Sequence, residues 1–491
     1  MKTLKMYIFA ILTGLLLPSI SLYAQSDFEQ YLKQQRKEFS DYSQKQEQDF
    51  KAYRDKVNTE FADFMRKSWD EFHSTPAVPA PQSPDPVLPP TVDPKKQPTI
   101  DPIPFKEIVP LVAPITPPQP VVPIPKPTLP VEDAFRFLFY NTECSVHLGA
   151  GQQVRLAGLS ESNIADAWGK FADARYNPLI SDCLLLRDQL KLCDWAYLQL
   201  LKTLSEKYYQ STTSNEAVLL QMYLLTQSGY KVRIAKSGNR LALLLPSNQT
   251  LYSYSYILIE GAKYYVLDKS LKGSQFAIFN HAFPKEQTFS LQMRELPDFS
   301  FSATTPKTMA SVRYPEIKMQ VAVNKNLIDF YNSYPVSDYW NWYAGASLSE
   351  NAKQAIYPVL QRAIAGKSQA DAANILINFV QKSFKYQTDN EQFGYERPFF
   401  ADENFYYPYN DCEDRSILYS ILVTDLLGLE VVLLHYPVHL ATAVRFTENI
   451  SGDYLMIDGK KFLVCDPTYI GADIGMAMDD CKRVQAIVVK I

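Results

Sequence analysis

The chain has 491 residues, too many for one hydrophobic core, and at about 100 to 200 residues per domain it has room for two or three globular units plus extensions. Apolar residues make up 46% and charged residues 21%, the balance of a globular protein. A net charge of −4 without a long basic run excludes attraction to nucleic acid by bulk electrostatics.

Lys2 and Lys5 precede an apolar stretch from Met6 to Leu17, and Ser21 to Ala24 offer small residues before a cut at Gln25. Residues 1–24 therefore read as a secretory signal peptide. The apolar run is shorter than the roughly 20 residues of a spanning helix, and Pro18 interrupts it. The expectation is an exported protein, in the periplasm or at the cell surface and beyond.

In the segment 25–75, Phe28, Phe39, Phe50, Phe61 and Phe72 recur every 11 residues, and Tyr31, Tyr42, Tyr53 and Phe64 follow the first four at a spacing of three. Eleven residues complete three turns at about 3.67 residues per turn, so both series lie on one face of a helix predicted over 27–73. A single helix cannot cover such a stripe. It is expected to pair with a second copy, to dock on an envelope partner, to lie on a membrane surface or, as a stalk, to pack loosely on the body.

Residues 76–130 hold 20 prolines in 55 positions. They predict an extended polyproline II linker, rising about 3.1 Å per residue and separating the helix from the body by on the order of 150 Å.

From 131 on the chain reads as two similar globular units, 131–310 and 311–491. In the first, TSNEAVLLQMYLLTQSGYKV (213–232) predicts a helix closed by Gly229 and followed by a strand, with further strands at 240–245, 254–261 and 263–268. In the second, CEDRSILYSILVTDLLGLEV (412–431) has the same pattern, with Gly428 in the place of Gly229 and strands at 439–444, 453–459 and 461–466. Aligned without gaps, Thr213 falls opposite Cys412 and Arg240 opposite His439. Asp268 meets Asp466 after a one-residue shift. An amphipathic helix precedes each unit's pattern, at 192–209 and 370–387. The fold class expected is α+β, a duplicated domain in which helices pack on an antiparallel sheet and whose first copy has lost the Cys and the His.

Asp411 precedes the apolar helix as its N-cap, with Asp414 three residues on, which puts Cys412 at the first helical position. Unpaired N–H groups and the positive end of the helix dipole favour a thiolate there. His439, opening a strand, supplies a base, and Asp466, ending a later strand, orients the imidazole. The catalytic triad expected is Cys412, His439 and Asp466. The aromatic segment between the two helices should line the cleft, with Gln392 and Tyr409 as candidate oxyanion donors beside the Cys412 N–H. His435 and His439 are separated by Pro437 and lie too far apart on an extended chain to share an ion, so His435 reads as structural. Glu413 and Asp414 read as completing the helix start.

The strings NDCEDRSILYSILV, YPVHLATAV and CDPTYIG, around Cys412, His439 and Asp466, resemble the three signature blocks of the transglutaminase-like superfamily, in particular the bacterial transglutaminase-like cysteine peptidases. The resemblance covers roughly 370–480. It implies a papain-like Cys-His-Asp triad acting on amides of a protein or peptide substrate through a thioester, with no metal or organic cofactor. Hydrolysis and acyl transfer that crosslinks proteins share that intermediate. The rival reading is a non-catalytic envelope scaffold in which the N-terminal helix does the binding. Six cysteines, one of them in the triad, leave an odd number, and Cys465 reads as a small buried apolar residue.

Overall fold

The computed structural model describes residues 33–38, 41–42, 45, 48–81, 89–93, 100–111, 117–120, 134–271 and 275–491. The signal peptide expected over 1–24 and the first repeats of the aromatic stripe lie outside them. Among the described residues no helix is long and apolar enough to cross a membrane.

Helix α1 runs unbroken over 48–65 and buries Val57, Phe61, Ala62 and Met65 in the main core. Phe61 meets Trp168 at 4.8 Å and Phe283 at 5.2 Å between ring centroids. The helix ends at 65 and so stops short of Phe72, which the 11-residue period places on it. Trp69 turns back and donates its Nε1–H to Met65 O at 3.0 Å, occupying a carbonyl that the helix end leaves unpaired. Phe72 then enters strand β1 (Asp70–Thr75).

After β1 come β2 (Phe105–Val109), the hairpin β3 (Ala134–Phe139) and β4 (Thr142–His147), and four helices, α2 (Glu161–Phe171), α3 (Asn177–Gln189), α4 (Asp194–Tyr209) and α5 (Asn215–Gln227). Serines cap α2 and α5: Ser160 accepts from Asn163 N and Ser214 from Ala217 N, each meeting a donor that the first helical turn leaves free. Strands β5 (Arg233–Ser237), β6 (Arg240–Pro246), β7 (Tyr256–Ile259), β8 (Ala262–Val266) and β9 (Gln275–Phe279) follow. They form a barrel in the order β1-β7-β8-β6-β5-β9, and β1 closes it by pairing antiparallel with both edges.

The second unit opens with a hairpin, β10 (Lys307–Ala310) and β11 (Lys318–Val321). Helices α6 (Lys325–Ser333), α7 (Trp340–Ala344), α8 (Glu350–Ile364) and α9 (Gln369–Ser383) follow. Two short strands, β12 (Lys385–Tyr386) and β13 (Tyr409–Asn410), pair in parallel and flank α10 (Asp389–Gln392). Then come α11 (Cys412–Leu427), ended by Gly428 at φ +65°, and strands β14 (Glu430–Tyr436), β15 (His439–Arg445), β16 (Tyr454–Ile457), β17 (Lys460–Cys465) and β18 (Ala486–Lys490). The sheet order is β16-β17-β15-β14-β18-β2.

The fold is α+β with largely antiparallel sheets. Replacing each strand of the first unit by its counterpart gives the same order in both, and in both an N-terminal strand is added beside the last one. The helix starts are offset from the gap-free alignment, so Asn215, not Thr213, stands at the position of Cys412. One hydrophobic core runs through both units, from Val57 to Ile474.

The described parts of 76–130 follow the body and do not run out as a free spacer. Prolines lack an N–H but keep a strong carbonyl acceptor, and here that carbonyl is what they use. Pro81 O accepts from Glu396 N at 2.9 Å, Pro90 O from Ile470 N at 2.8 Å, Pro104 O from Ala486 N at 3.1 Å, and Pro118 O from Arg187 Nη1 at 2.9 Å. The proline-free run FKEIV retains its donors and becomes β2, parallel to β18.

Candidate active site

Cys412 is the first residue of α11, where the expected helix start places it. Asp414 Oδ2 accepts the Asp411 N–H at 3.3 Å, while the Asp411 carboxylate turns away and accepts the Asp389 N–H at 3.1 Å. One turn after Cys412, Ser416 donates to Leu440 O at 2.8 Å. That bond ties the start of α11 to the start of β15 and so sets Cys412 against His439.

His439 Nε2 lies 2.8 Å from Asp466 Oδ2, and both side chains are buried. The other oxygen of Asp466 accepts from Thr468 N at 2.9 Å and Tyr469 N at 3.1 Å. Gln381 of α9 donates to the carbonyls of Tyr469 at 3.0 Å and Ala472 at 2.9 Å, which pins the loop carrying Asp466. Nε2 being engaged by Asp466, Nδ1 is the ring nitrogen left to face Cys412. Burial pulls the imidazole pKa down, but the charge and hydrogen bond of Asp466 and the contact with Cys412 outweigh it and push it up to about 10. The direction of the shift favours the protonated ring, the form that pairs with a cysteine nucleophile.

Cys412 and His439 stand on the wall of a cleft of about 670 Å³, which Trp340, Tyr386, Thr388 and His435 also line, with Asp466 buried behind the imidazole. His435 packs edge-on to Trp340 at 5.5 Å, and burial lowers its pKa. Gln392 and Tyr409, the oxyanion candidates, do not line the cleft. Gln392 directs its amide to Tyr409 O at 3.4 Å. Pro81 and Pro90 do line it, so the proline-rich segment forms part of the rim. All six cysteines are free thiols, and Cys465 is fully buried as expected.

Around Cys412 the structure gathers charge that sequence alone did not reveal. Asp389, Asp411 and Glu413 are buried with ligating oxygens all within 4.8 Å of one another, and each has an oxygen without a hydrogen-bond partner. Burial and mutual repulsion push Asp389 and Glu413 well above the carboxylate range, and burial raises Asp411 to about 7. The Cys412 sulfur donates to Glu413 Oε2 at 3.1 Å. Three oxygen ligands of this kind suit a hard divalent cation, which would hold the carboxylates ionised. The group leaves no signature in the sequence, because Asp389 and Asp411 come together through a loop and share no short motif.

Comparisons with protein-family models, with curated proteins and with solved structures find no significant match.

Proposed function

We propose that the chain is an exported thiol hydrolase that cleaves peptide or amide bonds, with Cys412 as nucleophile, His439 as base and acid, and Asp466 as the residue orienting the imidazole. The single observation carrying this reading is the 2.8 Å His439–Asp466 pair behind a cysteine at a helix start, on one cleft. The likeness of the three sequence blocks to transglutaminase-like cysteine peptidases supports it, as does the shared strand order of the two units, which fits a duplicated domain with a degenerate first copy.

In this mechanism the thiolate attacks the substrate carbonyl, and the Cys412 N–H, which no helical carbonyl claims, stabilises the oxyanion. The imidazolium gives its proton to the leaving amine. Water, activated by the neutral imidazole, then releases the acyl group from the thioester. Acyl transfer differs only in that an amine takes the place of water.

Cys412→Ala is expected to abolish turnover with the melting temperature retained. Iodoacetamide at pH 7 should alkylate Cys412 well ahead of the other five thiols, and His439→Ala should remove that advantage. Equal reactivity of all six thiols, with turnover intact in Cys412→Ala, would sink the reading. The scaffold reading predicts a Cys412 no faster than the other thiols, with or without an added divalent cation.

A further inference from the structure

The first unit keeps a cavity where the second has its active site. It measures about 520 Å³ and lies between α4, the start of α5, the start of β6 and the turn after β8. No cysteine or histidine lines it among the described residues, so thiol chemistry does not explain its retention.

What lines it is an arrangement for holding charge. Arg240 opens β6 as His439 opens β15, and its Nη2 meets Asp268 Oδ2 at 2.8 Å, the counterpart of the His439–Asp466 pair. The guanidinium Nε is buried without a partner. Ser205, 1% exposed, also lines the cavity with an unpartnered hydroxyl. Lys269 Nζ sits 4.0 Å over the Tyr254 ring, and Lys202 lies 3.9 Å from Glu206.

Among the described residues the charged side chains on the wall are Lys202, Arg240 and Lys269 against Glu206 and Asp268, an excess of one positive charge. A dianionic phosphate would meet two fixed carboxylates. A single carboxylate balances the site and matches the planar fork of Arg240. Gln199 and Thr213 offer amide and hydroxyl partners for a peptide backbone, and Trp195 gives it an apolar floor.

We infer that this cavity is a non-catalytic binding site for a carboxylate-bearing peptide, held by Arg240, Lys269 and the Ser205 hydroxyl. Its occupancy does not depend on Cys412, and it stands or falls separately from the hydrolase reading.

The test is isothermal titration of the full chain carrying Cys412→Ala, so that no peptide is consumed. Three probes are used: N-acetyl-Ala-Phe-Ala with a free C-terminus, the same peptide amidated, and amidated N-acetyl-Ala-Asp-Ala. One of the two carboxylate peptides is expected to bind at least about tenfold more tightly than the uncharged amide, the scale of one charge-assisted hydrogen bond. Preference for the first identifies a chain terminus as the ligand, and preference for the third an acidic side chain. Arg240→Met and Lys269→Met should each remove that advantage. If Arg240→Met does not fold, Lys269→Met decides alone, since its side chain is exposed. No binding, equal binding of all three peptides, or binding unchanged in Lys269→Met would overturn the inference.

Discussion

Asp402 is fully buried and accepts from both the N–H and the hydroxyl of Ser349, the cap of α8. Burial raises its pKa from 3.8 to about 6, and the Ser349 bonds offset only part of that rise. Below about pH 3.8 the carboxyl is protonated folded and unfolded and costs nothing. Above about pH 6 it is ionised in both states, and the buried charge costs on the order of 3 kcal/mol. Stability should therefore fall as pH rises between those values, and Asp402→Asn should flatten that part of the unfolding free energy against pH. Parallel curves for the two proteins would show that the burial penalty is relieved elsewhere. The carboxylates beside Cys412 make a second prediction at this scale. Millimolar calcium or magnesium is expected to raise the melting temperature by several degrees, as ligand at about a hundred times its Kd adds about 2.7 kcal/mol. Asp389→Asn should lose that response without melting lower in the absence of the ion, since burial and the neighbouring carboxylates already suppress the Asp389 charge there. An equal shift in both proteins would mean that the ion acts elsewhere. Single residues were legible from sequence when they sat at element ends. Cys412, His439 and Asp466 each mark a helix or strand boundary, and boundaries leave capping and turn signals. Asp389 and Trp340 reach the site through loops and helix packing that no local period encodes.

The elements themselves were legible wherever a hydrophobic period ran uninterrupted, as in α5, α11 and strands β5 to β8 and β14 to β17. The aromatic stripe of α1 was legible as a stripe but not as to what covers it. A period reports that a face must be buried, not whether the partner lies in the same chain. Part of that face is covered by the first unit: Phe61 is 3% exposed while Tyr53 is 43% exposed. Asn58 reinforces the docking, accepting from Trp168 Nε1 at 3.1 Å and Gln227 Nε2 at 2.9 Å. Phe61→Ala should then cost about 3–5 kcal/mol in denaturant unfolding, against less than about 0.5 kcal/mol for Tyr53→Ala. Similar small losses at both positions would return the helix to the role of a free, self-associating coil.

At the scale of the molecule, the described parts of the segment read as a spacer lie on the body as a belt. It leaves the first unit at β1, where Val78 O accepts from Ser253 N at 2.7 Å, and crosses the cleft rim at Pro81 and Pro90. It pairs with Ile470 and Tyr454, extends the second sheet as β2, and returns to the first unit at Pro118 and Gln119. The return is close: a Cβ on Gly229 would lie 2.3 Å from Gln119 O, so the glycine that ends α5 also admits the belt. Composition hid this, because a run of prolines cannot build its own core, yet each carbonyl can still accept from a body that offers an N–H. If the belt holds the two units together, a chain beginning at residue 134 lacks α1, the strand that closes the barrel and the edge strand of the second sheet. It should melt at least about 10 °C lower than the full chain, or be recovered only as aggregate, because unpaired sheet edges and an uncovered apolar face are left exposed. Gly229→Val in the full chain separates the contributions: it disturbs the return of the belt and leaves α1 and both strands in place, so it should lose only a fraction of that stability. Melting of the shortened chain at the temperature of the full one would show that the two units hold together through their shared core alone and that the belt rides on them without adding to their stability.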